Sequence, residues 1–426
     1  MSFEEPTATN TKRLLLLVTA SSYRTGAFTE VARSSGIEVA HGIDMPEALA
    51  TYYNVPLALD FAETESSVAK ILAAAEATPF DAILSVDDSA SLLAAEASAA
   101  LGLPHNAPAA AEAARNKHRM REMLEAGGVP VPRYRKIAAE ADFGAIAKAV
   151  EYPLVVKPLM LSGSRGVIRA DNPEEFVAAA ERLRMLLQRM GGAGDGQAIL
   201  IEEYLPGGEV ALEGLLTEGE LQVLALFDKP DPLEGPFFEE TIYVTPSRLP
   251  SELQEAIARR TAEAAKALGL RTGPVHAELR FNERGVWLIE MAGRSIGGLC
   301  GSILEFGTDT CLEEVVVRHA VGLPLPDLTP KEGAAGVMMI PIARRGMLRE
   351  VTGVEEAEQV PHVTGVEITA PMHYPIVPLP EGESYLGFIF ARAATPDEVE
   401  QALREAHARL AFEIEDEIPV LPVFRL

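Results

Sequence analysis

The first hundred residues alternate short apolar runs with helical stretches, a pattern that admits little besides a parallel α/β sheet. Residues 14–18 read as a buried strand that opens into the polar loop Thr19-Ala20-Ser21-Ser22. A helix follows over 28–35, a second strand over 37–40, a helix over 68–77 and a third strand over 81–86, which ends in Asp87-Asp88. An alanine-rich helix over 89–101 is stopped by Gly102-Leu103-Pro104. Ligands of such sheets gather at the carboxyl ends of the strands, so Ser21, Ser22, Asp87 and Asp88 are candidate substrate contacts. Asp87-Asp88 reads equally well as an N-cap for the helix behind it.

Beyond residue 107 the texture changes. A helix over 108–126 carries Asn116-Lys117-His118-Arg119 and closes at Gly127-Gly128. Runs at 154–157, 199–202, 210–216, 221–227, 276–281 and 286–291 are strands with short turns, as antiparallel pairing allows. An amphipathic helix over 174–190 leads into a flexible glycine loop at 191–196, and a second long helix covers 251–269. From Gly333, strands near 336–342, 366–370 and 386–392 precede a helix at 396–411. A chain of 426 residues exceeds one ordinary core. The expected units are an N-terminal α/β domain (1–107), a linker helix with a lid (108–206), a central antiparallel unit (207–330) and a C-terminal α+β domain (331–426).

Several classes are disfavoured. No run of eighteen apolar residues offers a membrane span, and residues 1–13 are polar and acidic, unlike a signal peptide. Cys300 and Cys311 stand in no metal or redox spacing, so a reducing cytoplasm is the expected compartment. The 63 acidic residues outnumber 37 basic ones, and the net charge of −26 repels nucleic acid and anionic membranes. Small molecules are the expected partners, because a closed site can keep its own cations. No Gly-Lys dipeptide exists for a Walker loop, and there is no His-Glu-x-x-His.

The phosphate-binding candidate is Val155-Val156-Lys157-Pro158 followed by Ser162-Gly163-Ser164-Arg165-Gly166. A strand-borne lysine leading into a loop of small residues can surround phosphate oxygens with backbone N–H groups. The same residues also suit a surface lysine beside a turn. The hairpin over 276–291 is sharper. Asn282-Glu283-Arg284-Gly285 fits a type I turn that pairs Asn282 with Val286 and sets Glu278 opposite Glu290. Like charges facing across a strand pair destabilise it unless a cation lies between them, and carboxylates with phosphates are what Mg²⁺ prefers. A turn one residue different would put the two glutamates on opposite faces. Arg294 follows closely, placed for a phosphate or a developing oxyanion, or for a structural salt bridge.

Taken together, residues from about Pro108 to Gly298 resemble the ATP-grasp superfamily of carboxylate–amine ligases. That resemblance implies an ATP-grasp fold, α/β and α+β, with ATP and Mg²⁺ (or Mn²⁺) bound between lid and body. Lys117 and Lys157 match the two ATP-phosphate lysines, and Ser162, Gly163, Ser164 and Gly166 the mobile loop over the phosphates. Glu202, Glu203, Tyr204 and Leu205 match the adenine hinge, and Glu209 the ribose position. Glu278 and Glu290 match the metal carboxylates, and Arg294 the arginine that steadies the acyl phosphate. Where the family has a second-metal asparagine, this chain has Ala292. The stretch from Phe227-Asp228-Lys229-Pro230 to Phe237-Phe238-Glu239-Glu240-Thr241 looks like the branch that joins amino acids into dipeptides. There a glutamate matching Glu240 lies beside the metals and could offset Ala292; a solvated acidic turn is the plainer alternative. The activity so implied is amide formation through an acyl phosphate, releasing ADP and phosphate. A ligase for formate or bicarbonate and a non-catalytic ATP-binding module are the rivals. A homodimer stays open.

Overall fold

The computed structural model describes residues 11–416 except Ser21, Tyr23, Gly192, Ala193, Thr308 and Glu383, and Asp195 by its backbone alone. Candidate Ser21 and part of the predicted glycine loop therefore lie outside the described residues.

The strand Arg13–Thr19 runs parallel to Glu38–Asp44 on one side and Ala82–Ser85 on the other, with Ala58–Leu59 at the edge. Leu14 to Leu17 are fully buried because both faces of this sheet are covered. Leu15 and Leu17 pack with Ile71 and Leu93, and Leu14 and Leu16 with Phe28 and Val315. The helix Glu47–Tyr53 and the two-residue edge strand are too short to show a periodicity, and sequence reasoning missed both.

The helix expected over 108–126 is two helices, Pro108–Arg115 and Lys117–Ala126. Asn116 leaves the helical region (φ −96°, ψ 105°), and its side chain accepts the His118 and Arg119 N–H groups. A capping residue thus interrupts an otherwise helix-forming run and puts Lys117 at the first position of the second helix. Asn116→Ala should cost about 1 kcal/mol of stability, read from the urea midpoint. An unmoved midpoint would mean that the cap contributes nothing.

A four-stranded antiparallel sheet follows, ordered Tyr134–Ile137, Ile199–Glu203, Leu154–Pro158, Ile168–Ala170. The helix Pro173–Arg189 backs it, with Phe176 and Leu183 against Val156 and Ile201. Beside a three-stranded and a two-stranded sheet, most strands of the rest of the chain build one eight-stranded antiparallel sheet. Its order is Gly285–Ala292, Gly273–Asn282, Gly208–Thr217, Glu220–Asp228, Ile242–Thr245, Ala334–Ile340, Gly387–Ala393, Val363–Ile368. The helix Ser251–Leu268 packs Ile257 and Leu268 with Leu212 and Val275, and the helix Pro396–His407 packs Val399 and Leu403 with Val244 and Ile389. No helix among the described residues is long and apolar enough to cross a membrane.

Candidate active site

The hairpin corrects the expected register and yet keeps its consequence. Asn282 pairs with Gly285, not with Val286, so the turn is one residue shorter than predicted. That alone would throw Glu278 and Glu290 onto opposite faces. A β-bulge between Glu278 and Leu279 restores the offset, and Glu278 faces Glu290 after all.

These glutamates look into a cavity between the four-stranded and eight-stranded sheets. Of the predicted site residues, Lys117, Lys157, Ser162, Gly163, Ser164, Glu202, Glu203, Tyr204, Leu205, Glu209, Glu278, Glu290 and Arg294 line it; Gly166 and Glu240 do not. Gly166 instead donates its N–H to the Pro380 carbonyl at 2.8 Å. Its φ of +74° and the Leu183 methyl 2.8 Å from where a Cβ would sit leave room only for glycine.

Lys157 and Glu202 stand on neighbouring strands, with Nζ 2.5 Å from the carboxylate, and Arg121 Nε donates to the same glutamate at 2.6 Å. Arg121 also donates to the Ile289 carbonyl at 2.7 Å, so one buried guanidinium ties the linker helix to both sheets. Burial opposes ionisation of Glu202, but Arg121 and Lys157 prevail and hold it at about 2. Burial pushes the Lys157 ammonium down in spite of Glu202. The two shifts describe one imbalance: two cations share one carboxylate, and an incoming anion would complete the charge pairing.

Lys117 Nζ donates to Glu290 at 2.9 Å and to the Leu161 carbonyl at 2.7 Å. Glu240 joins a different group. Carboxylate oxygens of Glu209, Glu240 and Glu278 lie within 4.8 Å of one another. The buried Lys229 ammonium sits among them, 2.9 Å from Glu209, in contact with Glu240 and 3.8 Å from Glu278. Burial opposes its charge, but the three carboxylates hold Lys229 well above the usual lysine range. Burial likewise works against ionised Glu278, yet Lys229 and His276 keep it well below the usual carboxylate range. Burial and the Glu278 charge raise Glu240, against the pull of Lys229. His276 bridges Glu213 at 3.2 Å and Glu278 at 3.8 Å; burial disfavours its charge, but these partners raise it to about 9. Glu209 further accepts from Arg280 Nε at 2.7 Å.

The N-terminal sheet supplies the last wall. Asp88 makes no cap bond; its carboxylate pairs with Arg294. Arg24 donates to Ser295 Oγ at 2.6 Å and to the Val86 carbonyl at 2.8 Å. Sequence reasoning gave no role to Arg121, Lys229 or His276. Arg121 lies four residues beyond Lys117 on one helix face, and His276 two residues before Glu278 on one strand face, so spacing could have flagged both. Lys229 lay within a stretch already singled out.

A four-stranded lid over an antiparallel body, with lysines and opposed carboxylates facing the gap, is the ATP-grasp arrangement. Family models agree: residues 150–303 match the ATP-grasp domain, 30–105 the ATP-grasp N-terminal domain and 338–415 the L-amino acid ligase C-terminal domain 2. The chain belongs to the ATP-grasp superfamily, in the branch that carries this C-terminal domain. It is similar to the crystal structure of L-amino acid ligase from Bacillus licheniformis, with TM-score 0.81 and 27% identity, over 95% of this chain and 99% of that one. It is 29% identical to alanine–anticapsin ligase of Bacillus subtilis (strain 168) over 55% of this chain and 52% of that protein. It is 32% identical to carnosine synthase 1 of Gallus gallus over 61% of this chain and 30% of that protein. The chain thus spans about half or less of the length of these two curated relatives.

Proposed function

We propose that the chain joins two amino acids by an amide bond, using ATP to turn the carboxylate of one into an acyl phosphate. The observation that carries this reading is the convergence of Lys117, Lys157, Glu278, Glu290 and Arg294 on one cavity. Similarity to an L-amino acid ligase along nearly its whole length supports it.

On this reading, Lys157 and Lys117 hold phosphate oxygens, and the loop through Ser162, Gly163 and Ser164 covers them. Residues Glu202 to Leu205 meet the adenine, chiefly through the backbone, and Glu209 lies at the ribose. The carboxylates of Glu278 and Glu290 face each other with Glu240 beside Glu278, an all-oxygen donor set that suits a divalent cation such as Mg²⁺ or Mn²⁺. Ala292 offers no ligand, and on this reading Glu240 would compensate, with Lys229 releasing it to the ion. Such an ion would neutralise phosphate charge during transfer. Arg294 donates to the oxyanion that develops when the amine attacks, and Asp88 keeps its guanidinium aimed. Closure of the 162–166 loop keeps water from the activated acyl group.

The test is a product assay over a panel of amino acids, singly and in pairs, with hydroxylamine as a substitute nucleophile. ADP and phosphate should appear, pairs should outpace either amino acid alone, and hydroxylamine should trap the acyl group as a hydroxamate. AMP as product would overturn the mechanism. ADP formed only with a carboxylate that is not an amino acid would overturn the substrate class, and ATP binding without turnover would leave a non-catalytic module.

A further inference from the structure

A second cavity adjoins the first, and Leu161, Ser162 and Glu290 line both. Its other walls include Asp88, Ser89, Arg115 and Met160. Two groups here make no hydrogen bond. Ser89 Oγ is buried without one. Arg115, the last residue of the helix Pro108–Arg115, is half-buried and makes no hydrogen bond or close ion pair among the described residues, although, against burial, the Asp88 charge favours its charged form. Arg165 also borders the cavity, but its Nε donates to the Glu381 carbonyl at 2.9 Å. Buried polar groups are ordinarily hydrogen-bonded, so an orphaned hydroxyl and a guanidinium with no hydrogen bond around one cavity point to a ligand. The planar fork of arginine suits a carboxylate.

Arg115 does not line the first cavity, where Lys117 and Arg294 lie. A carboxylate held by Arg115 is therefore not the one activated by ATP. When two amino acids are joined, the electrophile consumes its α-carboxylate and the nucleophile keeps its own. We propose that the second cavity seats the amine-donating amino acid, with its spectator carboxylate on Arg115 and its amine turned toward the shared wall at Glu290. This assignment rests on the ligase reading above. Attack forms the C–N bond and breaks the bond from the acyl carbon to the phosphate oxygen. Phosphate leaves with that electron pair and takes one of the two protons that the ammonium group sheds; the other passes to water.

The experiment compares, for the full chain, KM for an accepted amine-side amino acid with KM for its carboxamide, which has lost the spectator charge. Arg115→Ala should raise the amino-acid KM by about 10- to 100-fold relative to the carboxamide KM. Arg115→Lys, which keeps the charge without the fork, should fall between and guards against a misfolded alanine variant. Equal shifts for amino acid and carboxamide, or a shift confined to the electrophile's KM, would overturn the assignment. Hydroxylamine separates it from the reading beneath: wild-type protein that forms no hydroxamate with any carboxylate overturns the ligase reading, and this seat with it.

Discussion

Glu290→Ala will lower kcat by on the order of 10³-fold while the protein stays folded. The side chain is 27% exposed and fills no core volume, so its removal leaves no cavity. Lys117 loses one partner but keeps the Leu161 carbonyl at 2.7 Å. What disappears is a carboxylate facing Glu278, and with it one of the charges that would fix a cation against the phosphates. Steady-state rates at saturating Mg²⁺, beside a melting curve of the same preparation, decide the matter. Undiminished turnover would remove Glu290 from the site.

Glu202→Ala should do the reverse and strike stability first, by about 3–5 kcal/mol. Arg121 and Lys157 are 0% and 6% exposed, and without Glu202 both are buried cations with no counter-charge. The same pairing sets a pH dependence. Glu202 is depressed from 4.5 to about 2, so its contribution is complete above the unfolded value and lost as pH falls from 4.5 toward 2. Urea midpoints across that range should decline more steeply in wild type than in the variant. Parallel curves would mean that the carboxylate contributes nothing to the acid limb.

What was legible in the chain was local. The unbroken run Leu14–Leu17 announces a strand covered on both faces, and a strand lysine leading to small residues announces two neighbouring parts of one cavity wall. The hairpin was legible through two departures that cancel: a shorter turn and a bulge that no propensity signals. The break at Asn116 was hidden because helix formers flank it on both sides, and a cap shows only when the chain bends there. The hardest features join distant residues. Arg121 finds Glu202 81 positions away, and Arg294 finds Asp88 206 positions away, and neither partner carries a local mark of the other. Lys229 among three carboxylates belongs to the same kind, since strand order alone decides which side chains share a face.

The eight-stranded sheet has a bearing on how such chains are divided. The matches at 150–303 and 338–415 suggest two separable pieces, as if the second were an accessory that could be exchanged freely. Ile242–Thr245 bonds to Glu220–Asp228 on one side and to Ala334–Ile340 on the other, so the seam between pieces runs through a hydrogen-bonded ladder. Cutting there would bare Tyr243 and Val244, both buried in the intact sheet, on a raw strand edge open to pairing with any neighbour. Inheritance of the two segments is therefore joint in a physical sense: a replacement C-terminal piece must bring a strand that fits this edge in register before it can contribute anything to chemistry.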